Sequence, residues 1–293
     1  MDRRGIAAVT LWQLAVTSDR GSAVMLSLSL DHITAVDTTP VQLAEAAHAA
    51  ECRGICLFME PMEVLPHLPQ FDIYGDLGQR REFGQRMKDL GIALDLAYPF
   101  TLAGRTEVDG FKRAMECAAE LDAQLLNALM YDRNPERKLD TFGQFCDLAR
   151  SFGLRVGVEF YPVSQVRSLA EALELVQQIG RPGEVGINAD LLHLMRSGGT
   201  IEELAAAPEG YILYGQLCDG AESCPEDKRD YEASSERLLA GEGVFDLKGF
   251  AEALPEGCPM SVELPRNAAL EAGVPVSERV RLAIESVRQA LEA

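Results

Sequence analysis

Residues 154–193 read LRVGVEFYPVSQVRSLAEALELVQQIGRPGEVGINADLLH. The short apolar run Arg155–Phe160 has the length and composition of a buried strand. Ser168 then stands as N-cap to a helical pattern over Leu169–Ile179, and Gly180 follows it where a helix C-terminus needs a positive φ. A second apolar run, Val185–Asp190, completes a strand–helix–strand unit. Two strands joined through a helix favour parallel pairing by a right-handed crossover.

The same unit recurs in both directions. Candidate strands fall at Leu26–Ile33, Gly54–Glu60, Ile92–Ala97, Leu125–Leu129, Arg155–Phe160, Val185–Asp190, Ile212–Leu217 and Met260–Leu264. Helical patterns lie between them at Val41–Ala50, Gln79–Leu90, Val108–Leu121, Leu139–Phe152 and Leu169–Ile179, and Val276–Leu291 closes the chain. Thr39-Pro40 supplies an N-cap with proline at the first helical position. A doubly wound sheet uses the same alternation, but eight units fit a closed (β/α)8 TIM barrel better, given its typical size of roughly 250 residues. The expected organisation is a single barrel domain over residues 25–293, preceded by an extension over residues 1–24. The polar stretch Cys218–Gly243 breaks the rhythm after the seventh strand and is expected to lie over the active face.

Composition narrows the functional classes. The 293 residues carry a formal net charge of −19, which repels nucleic acid backbones. No apolar run reaches the roughly 20 residues of a membrane helix. Arg3 and Arg4 precede the apolar stretch Ile6–Val16, but Thr10 and Gln13 interrupt it and no A-x-A site follows, so a cleaved leader is not expected. Seven scattered cysteines without a CxxC pair fit reduced thiols in a cytoplasmic protein.

In such a barrel, reactive side chains project from the C-terminal ends of the strands. Four consecutive strands end in oxygen-bearing groups: Glu159, Asp190, Gln216 and Glu263. Three carboxylates converging in apolar surroundings repel one another, and a divalent cation relieves that repulsion. Hard oxygen donors suit Mg2+ or Mn2+, with Co2+ or Zn2+ as lesser fits. His193, one turn after Asp190, is placed to act as general acid or base. Arg237, ahead of an Ala240-Gly-Glu-Gly turn, reads as a clamp on a substrate oxygen. His32 and Tyr98 are further candidates to touch substrate. Aromatics cluster at the strand ends in Phe58, Tyr98, Phe100, Tyr131, Phe160 and Tyr161, as a wall for a ring would require. Only five lysines occur, and no glycine-rich phosphate loop follows the last two strands.

The motifs Val156-Gly-Val-Glu159, Asp190-x-x-His193, Gln216-Leu-Cys-Asp219, Arg237-Leu-Leu-Ala-Gly-Glu-Gly243 and Ser261-Val-Glu263 resemble the xylose-isomerase-like barrels known as sugar phosphate isomerases/epimerases. The resemblance covers about Met25 to Ala293. It implies one divalent metal on Glu159, Asp190, Gln216 and Glu263, substrate contact by His193 and Arg237, a small-molecule substrate and a homodimer. The epimerases usually carry His as third ligand; Gln216 is similar instead to the 3-dehydroshikimate dehydratase branch. Proton abstraction beside a carbonyl is the implied chemistry, with Glu159 and Glu263 as the acid/base pair. Isomerisation or epimerisation is the first expectation, and a dehydratase or C–C lyase the second. A DNA-repair endonuclease of the same superfamily would need a histidine cluster and a basic face, against four histidines and −19 here. A non-catalytic barrel would keep the fold without needing the four converging groups.

Overall fold

The computed structural model describes residues 27–293. The expected extension over residues 1–24 lies outside the described residues. Eight parallel strands close into a barrel in sequence order. They are β1 Leu28–Asp31, β2 Gly54–Phe58, β3 Ala93–Leu102, β4 Leu125–Met130, β5 Arg155–Glu159, β6 Val185–Asp190, β7 Ile212–Leu217 and β8 Met260–Val262. The helices are α1 Pro40–Ala49, α2 Leu77–Leu90, α3 Lys112–Glu120, α4 Pro135–Ser151, α5 Leu169–Ile179, α6 Leu191–Arg196, α7 Ile201–Ala205, α8 Arg229–Ser234, α9 Leu247–Ala253, α10 Asn267–Glu271 and α11 Val276–Glu292. The (β/α)8 barrel expected from the sequence is therefore the observed fold.

The local signals act as expected where they are strongest. Thr39 and Gln42 form a reciprocal capping box at the start of α1, with Pro40 at the first helical position. Ser168 caps α5 by accepting from the Glu171 amide. Gly91 and Gly180 end α2 and α5 with φ of 68° and 70°, a region that favours residues without a Cβ.

Departures occur where side chains compete with the ladder. β1 stops at Asp31 because its carboxylate accepts the Ile33 amide at 3.1 Å and caps a 3-10 helix over His32–Ala35. After Val262, Thr34 takes over from β8: its hydroxyl donates to the Val262 carbonyl at 2.9 Å and accepts from the Leu264 amide at 2.8 Å. β3 runs on to Leu102, with its register against β4 slipping between Ala97 and Phe100, where Pro99 brings no amide hydrogen. The stretch expected as one helix over Val108–Leu121 begins as a 3-10 turn, Val108–Phe111, before α3.

Apolar side chains fill two layers. The larger core lies between barrel and helices and includes Leu43, Phe83, Phe142, Phe145, Phe250 and Ile284. A smaller cluster takes alternate residues of neighbouring strands, Cys56 and Phe58 of β2, Leu96 and Tyr98 of β3, with Leu125 and Tyr214. Strand register then fixes which polar side chains stand beside one another above it. Glu159 pairs with Asn188, Asp190 with Gln216, and Gln216 with Ser261.

Candidate metal centre

Glu159 and Asp190 are the last residues of β5 and β6. Asp190 also caps α6, its Oδ1 accepting the His193 amide at 3.0 Å. That cap turns His193 back over the strand end, and its Nε2 lies 3.5 Å from Glu159 Oε1. Among the His, Cys, Asp and Glu side chains of the described residues, Glu159, Asp190 and His193 can each bring one ligand atom within 4.8 Å of the others, and all three are buried. Two carboxylates and one imidazole form a donor set for a divalent ion.

Gln216 and Glu263 meet on the other side of the same space. The Gln216 amide nitrogen donates to Glu263 Oε2 and, at 3.3 Å, to Asp31 Oδ2. Its carbonyl oxygen accepts from Asn188 Nδ2 at 2.6 Å. Asn188 Nδ2 also approaches Asn127 Oδ1 at 3.3 Å, and Asn127 Nδ2 donates to Glu159 Oε2 at 2.5 Å. A buried row of amides from β4, β6 and β7 thus runs from Glu159 to Glu263. The Asn188 Oδ1 at its middle is buried without a hydrogen-bond partner.

Arg237 ties the two sides together. Its Nη1 donates to Asp190 Oδ2 at 2.8 Å and its Nη2 to Glu263 Oε1 at 2.6 Å, while carbonyls of Glu263 and Ala233 take further bonds. The side chain is only 1% exposed. Its position follows from the loop after β7. Asp219 accepts amide hydrogens from Gly220, Gly241, Gly243 and Phe245, which pins the glycine turn just after Arg237. A Cβ on Gly243 would collide with the Asp219 carboxylate.

Burial and like charge dominate the electrostatics. Glu159 is raised to about 8 by burial and by Asp190, against the hydrogen bond from Asn127. Burial also raises Glu263 well above its usual range; Arg237 opposes this, while Asp31, Asp190 and Glu159 add to it. Asp31 is raised to about 6, again chiefly by burial. Burial alone would raise Asp190 too, but Arg237 and His193 bring it below the ordinary value. Burial lowers His193 to about 4, which leaves its ring neutral near pH 7 and able to offer a lone pair. The converging carboxylates, two of them held above their ordinary range by burial and by one another, make this a site whose residues fit a divalent cation.

The centre opens on a cavity of about 170 Å3 bounded by Glu159, His193, Gln216, Arg237 and Glu263 on one side. Ile33, Phe58, Met62, Val64, Leu65, Tyr98, Pro99, Leu129, Tyr131 and Tyr161 make the rest of its wall largely apolar, and Ala233 and Ser234 of α8 border it from the loop after β7. Arg237 is the only Lys or Arg among these residues, and it is already paired. The Tyr161 ring packs against His193 with centroids 4.6 Å apart, and its hydroxyl donates to Asp230 of α8.

Of the residues expected to touch substrate, Arg237, Tyr98 and His193 border the cavity, and His32 and Phe160 do not. His32 Nε2 bonds the Thr38 carbonyl at 2.9 Å and Nδ1 accepts the Phe58 amide at 3.3 Å, so both ring nitrogens serve the backbone. Phe160 belongs to the core outside the barrel. Asp31, Asn127 and Asn188 were not picked out by the sequence. Asp31 ends a strand as Glu159 and Asp190 do, so the same strand-end reading would have found it had β1 been closed two residues earlier. The signal for Asn188 was its place two residues before Asp190, hence on the same face of the strand.

A family model described as xylose isomerase-like TIM barrel matches residues 42–290. The chain belongs to this family. No curated protein sequence matches it. Among solved structures, the IolI protein with a bound zinc atom superposes with a TM-score of 0.73 at 20% identity, covering 91% of this chain and 98% of IolI. D-psicose 3-epimerase in the presence of D-fructose gives 0.69 at 13% identity over 92% of this chain and 100% of the epimerase. The probable 3-DHS dehydratase AsbF of Bacillus anthracis gives 0.68 at 13% identity over 89% and 98%. At these identities the likeness is one of fold.

No helix among the described residues is long and apolar enough to cross a membrane.

Proposed function

We propose that the protein is a divalent-metal-dependent enzyme that moves protons next to a carbonyl of a small hydroxylated substrate, with isomerisation or epimerisation as the outcome. The observation that carries this reading is that Glu159 and Asp190 are buried within reach of one shared ion, with His193 beside them, at a cavity also lined by Gln216 and Glu263. Glu159, Asp190, Gln216 through its amide oxygen, and Glu263 would hold the ion, Mg2+ or Mn2+ by the hardness of the donors. When bound, the ion supplies Lewis acidity to a substrate carbonyl and to the charge that develops on its oxygen.

The chain's own groups do the proton work. Glu159 and Glu263 come from β5 and from just past β8, three strands apart around the barrel. One takes a proton from the carbon beside the carbonyl and the other returns one from a different direction. Glu159, raised to about 8, is close enough to neutrality to exchange its proton, and a cation beside it favours the ionised, basic form. His193, neutral and held by the Asp190 cap and the Tyr161 ring, orients a substrate hydroxyl or relays its proton. Arg237 holds Asp190 ionised and opposes the rise of Glu263 without offering a free cation to the cavity.

An apolar wall and a single, already paired guanidinium suit an uncharged or ring-bearing substrate better than a phosphosugar. That wall, together with Gln216, favours a second reading in which the same proton abstraction expels a β-hydroxyl from a cyclic hydroxy-ketone. The dehydratase and the epimerase among the structural neighbours are both compatible with this scaffold.

Incubation of the Mn2+-loaded protein with hydroxy-ketones and cyclic hydroxy-carbonyl compounds in D2O, followed by NMR, tests the reading. Deuterium should enter at the carbon next to the carbonyl, about 100-fold or more slowly in Glu159→Gln. Retention of stereochemical partners as products supports the isomerase, and loss of water the dehydratase. Exchange at an equal rate in Glu159→Gln would remove Glu159 from the chemistry.

A further inference from the structure

We propose that Asn188 sets the orientation of the Gln216 amide and, through it, the affinity of the site for a divalent cation. The inference rests on the reading of Gln216 as a ligand and names a residue that acts behind it.

In the structure Gln216 points its NH2 group at Glu263 and Asp31, and its oxygen at Asn188 Nδ2, 2.6 Å away. An amide nitrogen has no lone pair for a metal, so a ligating Gln216 must turn its oxygen toward the carboxylates. Half a turn of the amide exchanges the two atoms. Gln216 Nε2 would then stand where its oxygen now lies, facing Asn188 Nδ2, and two donors at that distance repel. The conflict disappears if Asn188 turns as well, because its Oδ1 then faces the Gln216 NH2.

That oxygen is the atom without a partner. Asn188 is completely buried, and its Oδ1 makes no hydrogen bond in the present arrangement. Turning both amides pairs that oxygen with the Gln216 NH2, and carries the Asn188 NH2 into the position that has no partner now. The pair therefore has two matched settings. In one, Asn188 donates to Gln216 and Gln216 donates to Glu263, which suits carboxylates without a cation. In the other, Asn188 accepts from Gln216 and the Gln216 oxygen joins the carboxylates, which suits a cation. The second setting also replaces the 3.3 Å contact from Asn188 to Asn127 by two facing oxygens, so the first setting is the one the site keeps without a cation. Asn188 is well placed for this role: it lies on the same face of β6 as Asp190 and pairs in register with Glu159.

The test is a double-mutant cycle on Mn2+ affinity, with Mn2+ as the only added ligand and free ion read by electron paramagnetic resonance. Asn188→Leu removes both the donor that now holds the Gln216 oxygen and the acceptor its turned amide needs, with little change in volume, and should shift Mn2+ affinity while Gln216 is present. In a Gln216→Ala background the same substitution should have no further effect. Asn188→Asp offers only acceptors, locks Gln216 with its oxygen forward, and should tighten binding more in the presence of Gln216 than in its absence, since the added charge alone acts equally in both. Thermal melts establish that each variant is folded, and the Asp variant decides the matter should the Leu variant not fold. Equal effects of Asn188→Leu or Asn188→Asp in both backgrounds would overturn the proposal and leave Gln216 as a ligand. Mn2+ affinity unmoved by Gln216→Ala would overturn both.

Discussion

Replacing Arg237 by Met keeps most of the buried stem and removes the guanidinium. Asp190 and Glu263, whose side chains are 0% and 9% exposed, each lose their ion-pair partner at 2.8 and 2.6 Å. Breaking one buried ion pair from one side costs about 3–5 kcal/mol, because the remaining charge has neither water nor partner. Both carboxylates are too buried for solvent to make up the loss. At roughly 2–4 °C per kcal/mol for a chain of this size class, the metal-free variant should melt roughly 10 °C below the parent. A divalent cation is the other means of balancing the same carboxylates, so adding Mn2+ should raise the melting temperature of Arg237→Met more than that of the parent. Differential scanning calorimetry at pH 7, with EDTA and with Mn2+, reads both effects. A metal-free variant melting with the parent, or a deficit that Mn2+ leaves unchanged, would refute the view of Arg237 as the counter-charge of this site.

Further outcomes follow from the same geometry. His193→Ala should retain metal and lower turnover about 100-fold, the range for a lost acid/base group; elemental analysis beside rate measurements checks it, and joint loss of metal would make His193 a ligand. Glu159 is raised to about 8 in the folded chain against an ordinary 4.5. Between those values the unfolded chain has released the proton while the folded chain still holds it, so this group's contribution falls as pH rises from about 4.5 through 8. In EDTA, the melting temperature of Glu159→Gln should therefore gain on the parent steadily from pH 5 to pH 8; a pH-independent difference would count against the raised acid.

How far the sequence reaches depends on the kind of signal. The alternation of buried strands and capped helices is local and periodic, so all eight strands and the long helices were legible in it. The strand-end positions of Glu159, Asp190, Gln216 and Glu263 were legible because each is a polar group closing a largely apolar run. Asp31 escaped because the apolar and polar residues around it, Leu30 to Ile33, read as a longer strand; only the Asp31 cap on Ile33 shows where it turns. Asn127 and Asn188 sit inside apolar runs, and the row they form with Gln216 depends on the register between β4, β6 and β7, which no single segment carries. The pairing of Arg237 with Asp190 is set by a loop pinned at Asp219. A charge in a polar stretch such as Cys218–Gly243 gives no sign of being buried. The short helices α6, α7, α8, α9 and α10 span too few turns for an apolar period to be read.

The central claim is one divalent cation held between Glu159 and Asp190, and its most direct test is the Mn2+ stoichiometry of metal-stripped protein measured beside Asp190→Asn. One tightly bound ion per chain is expected in the parent and its loss in the variant, with the barrel still folded by circular dichroism. An absence of tight binding in the parent, or undiminished binding in Asp190→Asn, would contradict it.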